Sequence, residues 1–290
     1  MNKVPMSEPG EVFTPGSVPE QALSAGAATA RCVVISGIPG VGKSLFVREQ
    51  ALLARRLGRT VHSIEWDVSR LAFEQPGVLD RYPEIDDVTH PVIRRAAGLW
   101  ARQAIGRWFK VHAHDRDFLV IEAPLIGGRF AELARVEDDA AESLLADSAT
   151  RFLVPQPSTA VRNRIEALRS REINQNRHAL DAKDAPPALV DALWLELVRA
   201  ADALGIARDL GNDRYCAELY LAVYERLLRH RRVVPVPVTE VIEAQGSPHA
   251  LEGLVIRIVP AVDEALALLD AVERGGVEAA ARYTQDWYRV

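Results

Sequence analysis

Lysine is nearly missing from this chain of 290 residues: it occurs at Lys3, Lys43, Lys110 and Lys183, and arginine supplies the rest of the 35 basic side chains. Against 40 acidic residues this leaves a net charge of −5, which argues against a surface given over to nucleic acid or anionic lipid and leaves room only for a local basic cleft. Cysteine is as scarce. Cys32 and Cys216 lie far apart and belong to no CxxC or Cys/His cluster, so neither a disulfide framework nor a zinc site is expected, and a reducing cytoplasm is the expected compartment. No apolar run approaches the roughly 18 residues of a membrane span, so no membrane association is expected. The first 29 residues hold Pro5, Pro9, Pro15, Pro19 and Ala25-Gly26-Ala27-Ala28, without a basic start followed by an apolar stretch. They read as a flexible leader and not as a signal peptide, the alternative being an arm packed on the domain or on a partner.

What is present is 48% hydrophobic residues in short apolar runs that alternate with long helical patterns. That is the sequence form of an α/β fold in three layers, with a mainly parallel sheet of five or six strands covered by helices. The expected strands are Cys32–Ser36, Thr60–Ile64, Phe118–Ile121, Phe152–Val154, Arg232–Val238 and Leu254–Val259. A helix opened by His90-Pro91 places Ile93, Ala96, Ala97, Trp100, Ala104 and Trp108 at near-helical spacing, which predicts a core-facing stripe. The domain is expected over residues 30–275, with lid and inserted helices at about 158–230 and a C-terminal helix over 276–290 after Gly275-Gly276.

Between the first strand and the helix that follows stands Gly37-Ile38-Pro39-Gly40-Val41-Gly42-Lys43-Ser44, a match to GxxxxGK[ST] in the context its chemistry requires. Gly37, Gly40 and Gly42 let the backbone curl, so that the amides from Gly40 and Val41 through Leu45 converge on phosphate oxygens at a helix N-terminus. Lys43 is expected at the β- and γ-phosphates, and Ser44 as a ligand of Mg2+. ATP with Mg2+ is therefore the expected ligand.

Acids at strand ends supply the rest of a candidate site, because ligands of open α/β sheets bind at the carboxyl ends of the strands. Ile64-Glu65-Trp66-Asp67-Val68-Ser69-Arg70 closes the second strand. Asp67 is the candidate to accept or orient an acceptor hydroxyl, Glu65 competes for that role, and Arg70 is a candidate acceptor contact. Glu122, after four apolar residues of the third strand, is the candidate to hold Mg2+ through water or to position the acceptor. The Leu125-Ile126-Gly127-Gly128-Arg129 turn presents Arg129 either to an anionic substrate or to solvent.

The fourth strand leads through Pro155-Gln156-Pro157-Ser158 into a helix bearing Arg162, Arg164, Arg169 and Arg171. In this order and spacing the chain resembles the P-loop kinases of the nucleoside- and nucleotide-kinase-like group, relatives of adenylate, shikimate, gluconate and zeta-toxin kinases. The Tyr220–Leu228 helix leading into Val233–Val238 is similar to that group's last helix and fifth strand. The resemblance implies a strand order 2-3-1-4-5 and a lid whose arginines neutralise the transferring phosphoryl group. Arg164 and Arg171, two helical turns apart, are the expected catalytic pair, with Arg169 as a substrate contact and Arg162 paired with it on a neighbouring face. It implies a kinase for a small-molecule metabolite or nucleoside, nucleic acid being disfavoured as a partner. The alternatives are a regulatory NTPase acting through a protein partner, and a kinase for a nucleic-acid end or a sugar nucleotide. The chain departs from the group in lacking an Asp-Gly-Phe-Pro-Arg run after the third strand and an Asp-x-Asp at the second.

Overall fold

The computed structural model describes residues 12–112, 114–172, 186–206, 214–242, 247 and 249–290, the side chains of 169–172 excepted. Its framework is a six-stranded sheet formed by β1 (Cys32–Ser36), β2 (Thr60–Glu65), β3 (Asp117–Ala123), β4 (Thr150–Pro157), β5 (Val233–Val238) and β6 (Ile256–Arg257). The order is β5-β4-β1-β3-β2-β6, with every pair parallel. The order expected from the kinase resemblance is thus present, extended by β6 outside β2.

The central strands are continuous apolar runs because both faces are covered. One face carries α1 (Val18–Thr29) and α2 (Lys43–Arg56), whose Leu23, Phe46, Val47 and Ala51 pack with Val33, Ile35, Val61, Phe118 and Val120. The other face carries α5 (Pro91–Val111), α8 (Pro187–Ala203), α9 (Ala217–Leu227), α10 (Val262–Arg274) and α11 (Val277–Gln285). Helix α5 starts where the sequence predicts: His90 Nδ1 accepts from Val92 N at 3.2 Å, and Pro91 takes the first helical position. All six residues of its predicted stripe, Trp100 and Trp108 included, are buried. Short helices α3 (Trp66–Ser69), α4 (Pro76–Leu79) and α6 (Glu142–Leu145) lie in the connections, and α7 (Thr159–Glu172) follows β4.

Two expectations are corrected. Residues 18–29 form a helix that belongs to the domain, capped by Ser17, which accepts from Glu20 N at 3.4 Å. Phe13 is buried edge-on against Phe46 at 4.9 Å, so the leader from Val12 onward is an arm packed on the domain. The Ala/Gly composition that suggested flexibility is what lets α1 come close: a methyl group on Gly26 would stand 2.8 Å from Gln50 Oε1. The apolar run at 254–259 pairs only over two residues, with Ile256 and Val259 more than half exposed, at the sheet edge where it has one neighbouring strand. At the opposite edge β5 tolerates Pro235 and Pro237, since only one side of an edge strand must donate. Among the described residues no helix is long and apolar enough to cross a membrane.

Candidate functional site

The carboxyl ends of β1, β2, β3 and β4 open on one edge of the sheet, where the Gly37–Ser44 loop turns the chain from β1 into α2. Gly40 (φ 83°) and Gly42 (φ 91°) adopt left-handed backbone that other residues enter only with strain, and Gly42 forms the N-cap of α2 without any side-chain hydrogen bond. The first amides of this 14-residue helix thus face the loop without a side-chain acceptor.

Donors with no protein acceptor gather here. Arg162, on the first turn of α7, is 1% exposed, and its guanidinium lies so close to the loop that a methyl group on Gly40 would stand 3.3 Å from Cζ. Its Nε donates to Glu166 at 2.6 Å, its Cζ lies over the Tyr215 ring 5.0 Å from the centroid, and Nη1 is buried without a partner. The hydroxyls of Ser36 and Tyr220 are likewise buried and unpartnered, and Tyr220 Oη would meet a methyl group on Gly37 at 2.6 Å. Buried polar groups are normally satisfied, so orphaned donors around an uncapped helix N-terminus fit an anion with several oxygens.

Opposite them stand the acids. Glu65 and Glu122 are register partners on β2 and β3 and face the α2 side. Lys43 Nζ is 3.6 Å from Glu122 Oε1 and 3.4 Å from Ile38 O, with both side chains buried. Burial pushes the Glu122 carboxyl up to about 7; Lys43 and His249 oppose that rise, while the negative charges of Asp67 and Glu65 add to it. Glu65 is occupied, accepting from Ser63 Oγ at 2.9 Å and from Arg257 Nε at 3.2 Å. Asp67, at the start of α3, is about one third exposed, with Arg70 Nε 3.3 Å away. Of the two competing acids, Asp67 is the one left open to an incoming molecule. Ser44 is half-buried at the second position of α2.

The arginines divide differently from expectation. Arg70 is held by Glu74, by Glu84 at 2.9 Å and by Thr89 at 3.3 Å, so it braces the segment after β2 and is not free for a ligand. Arg164 is exposed, and the helix face that reaches the loop is that of Arg162. Arg169 and Arg171 lie outside the described side chains. Arg129 is buried and so is not the solvent-facing arginine of the alternative; it is joined by Arg94 from α5, which donates to Gly127 O. A methyl group on Gly127 would stand 2.7 Å from Arg129 Nη1, 3.3 Å from Arg94 Nη1 and 3.4 Å from Glu196 Oε2. Burial lowers both guanidinium pKa values, that of Arg94 to about 10; the Arg129 charge adds to the shift of Arg94 and the Arg70 charge to that of Arg129, while Glu196 opposes both and Asp67 opposes that of Arg129. Arg94 and Arg129 are thus two buried cations that share Glu196, with Asp67 acting on Arg129 as well. The turn that carries Arg129 is strained, Leu125 (φ 64°) and Phe130 (φ 60°) both being left-handed. Tyr224 Oη anchors it by donating to Pro124 O at 2.6 Å.

Arg94, Glu196 and His249 were not singled out in the sequence because each comes from a remote segment with no local motif. Arg162 was visible, but its helix face was not. Comparisons with protein-family models, with curated proteins and with solved structures return no match for this chain.

Proposed function

We propose that the chain is a P-loop phosphotransferase that moves the γ-phosphate of ATP to a hydroxyl of a small acceptor carrying a negatively charged group. The observation that carries this reading is the convergence of unpartnered donors, Arg162 Nη1 and Tyr220 Oη, on the loop at the uncapped N-terminus of α2. In this reading the loop amides and Lys43 hold the β- and γ-phosphates, and Arg162 lies against the transferring group. Ser44 and Glu122 hold Mg2+, which when bound supplies charge neutralisation at the phosphate oxygens. Asp67 accepts or orients the acceptor hydroxyl, and Arg94 with Arg129 bind the acceptor's anion, a carboxylate or phosphate.

The test is ATP turnover against a panel of hydroxyl compounds with and without an anionic group, read by mass spectrometry of the product. Turnover alone should be slow, and one anionic member should stimulate it strongly. Equal hydrolysis with every member, with no phosphorylated product, would overturn the reading in favour of a regulatory NTPase.

A further inference from the structure

The opposite end of the sheet carries a second constellation. His62 lies in the middle of β2 on the α5 face, His112 caps the end of α5, and Asp117 opens β3. Their donor atoms all lie within 4.8 Å of one another. His112 Nδ1 is 3.4 Å from Asp117 Oδ1, and the two imidazole centroids are 4.3 Å apart. His62 is 5% exposed, yet its Nδ1 has no hydrogen-bond partner. Asp117 lies five residues before Glu122, about 16 Å down the strand, so this cluster is separate from the nucleotide end.

We propose that His62, His112 and Asp117 bind one divalent transition-metal ion of the zinc class. Two imidazoles and one carboxylate are a borderline donor set that suits Zn2+, Co2+ or Ni2+ and not Mg2+, whose preference is for oxygen. Tetrahedral Zn2+ at about 2.0–2.1 Å from its ligands spaces them about 3.4 Å apart. The His112–Asp117 pair already has that spacing, and His62 need close only a short further distance. The surroundings hold the ligands in place. Trp108 stacks on His112 at 5.4 Å and meets His62 edge-on at 6.0 Å. Arg31 Nη2 donates to His112 O at 2.5 Å, and Arg59 Nη2 to Asp117 O at 3.2 Å. Asp117 and His112 are partly exposed, which leaves a fourth position for water. The three residues are 50 and five positions apart in sequence and show no metal motif there, which is why the sequence predicts no zinc site.

The untagged full chain, stripped with chelator and dialysed against Zn2+ or Co2+, should retain one ion per chain, and the Co2+ form should show the intense visible absorption of a tetrahedral site. His62→Ala and Asp117→Asn should each weaken binding at least 100-fold, while His114→Ala, an exposed neighbour, leaves it unchanged. Should His62→Ala not fold, Asp117→Asn and His112→Asn, both at partly exposed positions, carry the test. Failure to retain a stoichiometric ion, or retention unaffected by Asp117→Asn, would mean that His112 and Asp117 form an ion pair only, and would overturn the proposal.

Discussion

Lys43 and Glu122 face each other at 3.6 Å, both almost fully removed from water, one from the first turn of α2 and the other from the end of β3. Neither has another fully charged partner as close among the described residues, so the state of each depends on the other. Removing one partner of a buried pair leaves an isolated charge at a cost of about 3–5 kcal/mol. Lys43→Met is therefore expected to lower the melting temperature as well as to weaken triphosphate binding, by roughly 10- to 100-fold for the loss of one charge-assisted contact. Adding Glu122→Gln to it should restore stability without restoring binding. Recovery of both, measured by thermal melts and nucleotide titration, would show that Lys43 does not contact the phosphates.

Glu122 also sets a pH dependence. Its folded-state pKa, near 7, is above the unfolded value near 4.5, so the folded protein holds a proton that the unfolded chain has released between those limits. Stability from this group is thus greatest below about pH 4.5 and falls as pH rises to 7, beyond which both states are ionised. In the Lys43→Met background, where no buried cation is left unpaired, Glu122→Gln should accordingly stabilise the ligand-free protein at pH 8, on the order of 2–3 kcal/mol, and hardly at all at pH 4.5. Melts across pH decide it; a gain independent of pH would contradict the buried-carboxyl account.

Arg162 and Arg164 differ by one short step along α7 and should differ sharply in consequence. Arg162→Ala is expected to reduce turnover by 100-fold or more, since it removes the only described arginine of α7 that lies against the loop. Arg164→Ala, on the exposed face, should stay within about twofold. Steady-state kinetics of the two variants checks this, and the reverse ranking would move the lid contact to the other face.

Asp67 and Glu65 separate chemistry from support. Asp67→Asn should spare ATP binding and lower the rate of product formation by about 100-fold or more. Glu65→Gln should instead weaken the link to Arg257 and show mainly as lost stability. Full activity in Asp67→Asn would transfer the role to Glu65 or remove it.

Much of this arrangement was readable in the sequence where it rests on local structure. The glycine loop, Lys43, Glu122 and the His90-Pro91 helix start are legible because strand, turn and cap chemistry act within a few residues. Which of Glu65 and Asp67 is free, and whether Arg162 or Arg164 faces inward, depends on partners brought in from positions 257 and 40, and no local pattern encodes them. Helix α1 was obscured for a different reason: close packing calls for small residues, and a run of small residues looks the same as a loose one.

The pairing of β6 with β2 bears on how the chain is made. Glu65 reaches its partner Arg257 across 192 positions, and His62 and Ser63 find their outer neighbours only at Ile256 and Arg257. During synthesis β2 is the rim of the sheet, with the Glu65 carboxylate awaiting Arg257, until the 192 residues that separate them have emerged. Closure of the acidic side of the cleft is thereby postponed until long after β2 itself is made, and a chain ending at Gly253 is expected to be cut by protease near β2 far faster than the chain that includes β6.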